Sequence, residues 1–185
     1  TAGPPVRLMA RPSEVLLKPG QSVQVETVGV DRCGASVALS GPVTWEPWIP
    51  PTAKVRALMS GGFSDSRTLR ASPSNGPSAG AYRVRGGAAF GTLRGRVLPE
   101  PPIHEDFERF AVTVVHEKEI GARFAYPPLP WIGARFKFEV RDLDGDKVLA
   151  KTLDQPLFQR AVAFIGAPHL RAYTLAADVM SDGNR

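Results

Sequence analysis

Phe138 to Lys151 reads FEVRDLDGDKVLAK, and its acidic centre is either a metal loop or a tight turn. Asp142, Asp144, Gly145 and Asp146 crowd together with the density of a calcium loop. An EF-hand loop needs oxygen ligands at its first, third and fifth positions, glycine at the sixth and an acidic residue at the twelfth. Counted from Asp142, the sixth residue is Lys147 and the twelfth is Leu153. What remains is Asp144-Gly145 between two alternating apolar segments. That is the signal of a hairpin whose type I′ turn needs positive φ at both central residues. The stretch predicts a β-hairpin, and an irregular oxygen cage on Asp142, Asp144 and Asp146 is the alternative.

Working outward, Phe136, Phe138 and Val140 alternate with Lys137, Glu139 and Arg141, the period of a half-buried antiparallel strand. Lys147 to Leu153 is the returning strand. Gln155 to Arg160 reads as a connection, and Ala161 to Ile165 and Tyr173 to Met180 as two further strands. Upstream, strand-length segments are predicted at Val6 to Met9, Glu14 to Leu17, Val23 to Val30, Val43 to Trp45, Lys54 to Met59, Tyr82 to Val84 and Ala88 to Leu98. Turn chemistry separates them: Pro19-Gly20, Asp31 to Gly34, Trp48 to Pro51, Gly61-Gly62 and the surface loop Ser72 to Gly80. Pro19-Gly20 suits a type II turn, expected to pair Glu14–Leu17 with Val23–Val30. Eighteen Gly and eighteen Pro in 185 residues agree with many short strands joined by tight turns. The chain therefore reads as all-β, with no helix longer than a turn or two.

Pro99 to Pro102, PEPP, is a stiff extended spacer and divides the chain. Residues 1–98, with seven short strands and Trp45 as core aromatic, predict an immunoglobulin-like β-sandwich. Residues 103–185 predict a second all-β module. Its last stretch runs into Asp182-Gly183, a turn with no returning strand, so this module is expected to be incomplete and the polypeptide to continue. The first residue is Thr rather than Met, which suggests a segment of a larger protein.

These residues bear a resemblance to known modules. LKPGQSVQVETVGVD, VTW, GAYRVRGG and GRVLPEPP resemble bacterial immunoglobulin-like domains of secreted and cell-surface proteins. HEDFERF, PPLPWIGARFKFEVRDLDGDKVLAKTLDQPLFQRAVAFIG and YTLAADVMSDGNR look like the start of a concanavalin-like, laminin-G-type jelly roll. The pair resembles the C-terminal portion of planctomycete-type quinoprotein-like β-propeller proteins. The propeller repeats lie outside the chain, so no quinone and no other cofactor is implied. The resemblance implies an extracytoplasmic setting, in the periplasm, at the cell surface or secreted. It also implies binding of glycan or surface protein at the level of class, with no binding motif matched residue by residue.

Candidate chemistry is sparse. The net charge of +5 invites a nucleic-acid reading, but the basic residues are scattered. The densest group, Arg83, Arg85, Arg94 and Arg96, has the period-two spacing of two solvent-facing strand faces. No zinc-finger, helix-turn-helix or RNP-like pattern accompanies it. Nucleic acid is not expected as a partner, and weak attraction to anionic glycans or lipopolysaccharide is the second reading. No apolar run approaches the roughly 18 residues of a membrane span. Cys33 is the single cysteine and has no partner for a disulfide or a cysteine-rich metal site. His104, His116 and His169 lack metal-ligand spacing, and no G-x-S-x-G elbow is present. Glu105, Asp106, Glu108, Glu117 and Glu119 would be the carboxylates of a polysaccharide-active enzyme, the rival reading. Such an enzyme needs two of them flanking a cleft, and a solvated strand entry explains them as well. Trp48, Tyr126 and Trp131 lie in the proline-rich stretches WEPWIPP and YPPLPW, where a ring can be held rigid for sugar stacking. These three are the candidate ligand-binding residues. The expected role is non-catalytic: presentation or recognition of extracellular glycan or protein.

Overall fold

The computed structural model describes residues 3–135, 137–152 and 161–181. Fourteen strands and no helix are found among the described residues. They are β1 (Arg7–Arg11), β2 (Glu14–Leu17), β3 (Ser22–Gln24), β4 (Glu26–Val30), β5 (Ser36–Val37), β6 (Thr44–Trp48) and β7 (Gly61–Phe63). β8 (Thr68–Ala71), β9 (Ser78–Gly86), β10 (Ala89–Val97), β11 (Val114–Val115), β12 (Arg123–Phe124), β13 (Phe138–Leu143) and β14 (Asp146–Lys151) follow. The all-β expectation holds.

The first ten strands form three small sheets, ordered β1-β4-β5, β2-β10-β9-β6 and β3-β8-β7. Two buried clusters serve them, the smaller made of Leu8, Val84 and Ala89. In the larger, Ala10, Val15, Leu17, Val25, Met59, Leu69, Ala71, Tyr82, Leu93 and Val97 pack together, with Trp45 and Phe63 against them. Trp45 and Phe63 stack with ring centroids 4.2 Å apart, and Tyr82 meets Phe63 edge-on at 5.4 Å. Trp45 is thus half-buried at the side of the core rather than at its centre. Tyr82, the largest fully buried side chain, donates its hydroxyl to the Gly61 carbonyl at 3.0 Å; without a partner this hydroxyl would carry a desolvation cost.

The Pro19-Gly20 turn forms, with Gln21 N–H donating to the Lys18 carbonyl at 3.1 Å and Gly20 at φ 74°. It does not make the expected hairpin. β2 pairs in parallel with β10, and β3 pairs with β8. Unprimed turns splay the strands they join instead of matching their twist, and here the turn carries the chain from one sheet to another. The predicted strand Val23–Val30 is likewise two strands broken at Val25, whose side chain enters the core and whose N–H donates to Arg67 O at 2.7 Å. Lys54–Met59 alternates correctly yet is not a strand. Met59 anchors it in the core while its backbone passes over Gly80. Gly61-Gly62, expected as a turn, lies in strand β7, where Gly61 at φ 136° has its α-carbon face against the Arg70 and Ala71 backbone. A side chain there would collide, so the glycine serves close approach.

The opening hairpin is confirmed. β13 and β14 pair antiparallel with Leu143 opposite Asp146, and Asp144 and Gly145 hold φ of 56° and 99°. Asp142 Oδ1 accepts from Gly145 N–H at 3.2 Å, so the first carboxylate of the acidic knot closes its own turn. Phe136, Leu153 to Arg160 and the Asp182-Gly183 turn lie outside the described residues. Of the two later predicted strands, Ala161–Ile165 is reduced to one bridge, Phe164 to Ile132. Tyr173–Met180 is not a strand. It runs exposed, Leu175 at 79% and Val179 at 87%, because an alternating pattern makes a strand only where a neighbour accepts its hydrogen bonds.

Candidate functional site

The outward face of the β2-β10-β9-β6 sheet carries the greatest concentration of recognition-type side chains. Register places directly opposed residues on one face, so its rows can be read across the strands. One row is Thr44, Arg85, Phe90; the next Glu46, Arg83, Thr92; then Trp48, Ala81, Arg94, Glu14; and last Ala79, Arg96, Leu16. The alternating partners Tyr82, Val84, Leu93 and Val97 are buried on the opposite side, which is why the four arginines share the solvent side.

Two of those arginines are neutralised. Arg85 pairs with Glu46 at 2.9 Å, and Arg96 pairs with Glu14. Burial lowers the affinity of Arg96 for its proton, and its Nε also approaches the Leu129 carbonyl at 3.4 Å. Arg83 lies over the Trp48 ring, 4.3 Å from its centroid, and 5.5 Å from that of Phe90, a cation–π arrangement. Its Nε is buried without a hydrogen-bond partner among the described residues. Arg94 is exposed and has no ion pair among them. Trp48, expected in a loop, thus ends strand β6, held rigid by the ladder to Ala81.

At its Ala79 end this face runs into an open groove of about 680 Å³. Leu58, Ile103, Phe110, Leu129 and Trp131 supply apolar wall, and His104, Glu105 and Arg109 supply polar groups. The YPPLPW stretch forms one side. Pro127, Pro128 and Pro130 are buried, and a turn from Pro128 O to Trp131 N–H (3.0 Å) presents Trp131, whose ring meets Phe107 edge-on at 5.7 Å. Tyr126 is directed elsewhere. It packs edge-on against Phe124 at 5.2 Å and lies beneath Arg135 at 5.4 Å, and it does not line the groove. Of the three aromatic candidates, Trp131 is in the groove, Trp48 is on the adjoining sheet face, and Tyr126 is part of a packed ring cluster.

The acidic candidates are engaged individually. Glu105 accepts from Phe107 N–H at 3.1 Å and pairs with Arg109 at 2.6 Å. Glu108 accepts from Lys147 N–H at 2.8 Å and pairs with its Nζ at 3.1 Å; the backbone bond, first among the causes, holds its carboxyl below the ordinary range. His104 stands 4.0 Å from Asp106 at the surface.

A second polar cluster escaped sequence reasoning. Glu139, expected on a solvated strand face, is buried together with His116. Arg141 forks to Glu119 at 2.9 and 3.0 Å and reaches Glu139 at 2.8 Å. Hydrogen bonding to Glu119, then to Glu139, pushes the guanidinium pKa up and keeps it charged. His116 Nδ1 accepts from Lys118 and Glu119 N–H at 3.2 and 3.1 Å, which leaves Nε2 as the protonated nitrogen facing Glu139 at 3.5 Å. Glu139 and Arg141 at positions two apart on one strand face were the available signal. Among the described residues no group of three or more His, Cys, Asp or Glu is placed to hold a metal ion, and no helix is long and apolar enough to cross a membrane.

Comparison of the chain with protein-family models, curated proteins and solved structures finds no match in any of the three.

Proposed function

We propose that the chain is a non-catalytic recognition segment of an exported protein, an immunoglobulin-like sandwich joined to part of a jelly-roll-like module, and that it binds extracellular glycan. The observation that carries this reading is Trp131. Its ring is held by Phe107 and a proline-bracketed turn at the side of an open groove that continues over Ala79 onto the Trp48 face. An extended, open path with rigid rings and polar groups at intervals suits a chain-like polyol. Catalysis would ask two carboxylates to face each other across a cleft, whereas Glu105 and Glu108 are each occupied by a cation, Arg109 and Lys147. The extracytoplasmic setting belongs to the same proposal.

Affinity electrophoresis of the purified chain through gels containing dextran, xylan or polygalacturonate tests it. At least one polysaccharide should retard the parent, and Trp131→Ala should weaken that retardation about tenfold, the upper range for an aromatic contact, with the melting temperature as folding control. Equal mobility in every gel, or a well-folded Trp131→Ala variant that binds like the parent, rejects glycan recognition.

A further inference from the structure

We infer that the ligand is an anionic, carboxylate-bearing polysaccharide, and that the Trp48–Ala81–Arg94 row reads it; this rests on the glycan reading above and names the chemical class. Ala81 has no side chain beyond Cβ, and directly opposed positions in neighbouring strands are close. The row is therefore a notch with Trp48 on one flank and Arg94, followed by Glu14, on the other. Arg83, diagonal to Arg94 in the ladder, adds a second cation. Neither has a carboxylate partner among the described residues.

The four arginines stand against two glutamates on this face, Glu46 and Glu14, so it carries net positive charge. Guanidinium groups form two-pronged hydrogen bonds with carboxylates, and the flanking ring offers an apolar surface for a sugar face. Single-stranded nucleic acid stacks successive bases on aromatic rings, and this row has one ring, Trp48, with Arg83 already over one of its faces. Glu46, Glu14, Thr44 and Thr92 instead accept from hydroxyl groups.

Titration calorimetry with polygalacturonate, dextran and an oligothymidylate, using the parent chain and the exposed-site variant Arg94→Glu, tests the inference. Polygalacturonate should bind, weaken with added salt, and lose about tenfold or more in affinity on Arg94→Glu, the loss of a charge-assisted hydrogen bond. Arg83→Gln, which removes the charge and leaves a polar side chain, should lose severalfold. Dextran binding that depends on Trp131 without polygalacturonate binding would overturn the inference and leave glycan recognition standing. Polygalacturonate binding lost on Trp131→Ala but unchanged by Arg94→Glu and Arg83→Gln would do the same. Oligothymidylate binding as tight as that of polygalacturonate would overturn it in favour of nucleic acid, and no binding to any of the three overturns both readings.

Discussion

Two glycines of β10 provide a quantitative test of the packing. A Cβ added at Gly91 would overlap the Leu8 carbonyl oxygen and lie 2.7 Å from the Leu8 carbonyl carbon. Nonbonded carbons settle at roughly 3.5–4.0 Å, so β1 would have to retreat by about 1 Å. That strand cannot yield alone, because it is laddered to β4 from Arg7 to Arg11 and carries the buried Leu8 and Ala10. A gap of about 1 Å forfeits up to about half of each dispersion contact. Gly91→Ala should therefore cost about 3 kcal/mol, the upper end for overpacking. At Gly95 an added Cβ overlaps the Met59 thioether, a side chain that can swing aside, and the nearest atom outside Met59 is Val15 Cγ2 at 3.4 Å. Gly95→Ala should cost about 1 kcal/mol. For a chain of this size these become melting-temperature losses of about 6–12 °C and about 2–4 °C. Differential scanning fluorimetry measures both. A Gly91→Ala protein melting at or above Gly95→Ala would refute the argument that backbone approach, not side-chain crowding, sets the β1–β10 spacing.

Arg141→Met should destabilise by roughly 2–4 kcal/mol in urea at neutral pH, because it strands the buried Glu139 beside Glu119. Adding Glu139→Gln should restore part of the loss, and a change under about 0.5 kcal/mol in the single variant would show that the network is not a stabilising one. Acid should weaken the fold through Asp31 and Asp65, whose carboxyls are held below the ordinary range chiefly by the backbone N–H of Ala35 and of Arg67. A depressed carboxyl contributes stability present above its unfolded value of about 3.9 and lost as pH falls through its folded value. The Asp31→Asn, Asp65→Asn double variant should melt lower than the parent at pH 7 and lose less on going to pH 3; parallel melting curves across that range would contradict this.

Where local chemistry suffices, the sequence was legible. Asp144-Gly145 between alternating segments reads as a tight turn, and the hairpin and the positive φ at both residues agree with that reading. The apolar pattern of Glu14–Leu17 coincides with strand β2, and the period-two spacing of the arginines matches their shared outward face. The candidate site was half legible. Aromatic residues near prolines pointed to Trp48 and Trp131, but the same rule selected Tyr126, which packs against Phe124. Nothing in the one-dimensional pattern distinguishes a ring that lines the groove from one that does not.

Strand periodicity, turn residues and the abundance of Gly and Pro act over a few residues, and they suffice to make the chain all-β. Tertiary structure alone decided which strands pair. Hydrogen-bond partners of a strand lie tens of residues away, and so β2 joins β10 rather than β3, and Tyr173–Met180 pairs with no strand among the described residues. It also decided the site. Trp48, Ala81 and Arg94 come from three strands, and only the ladder that aligns them turns three separate residues into one surface.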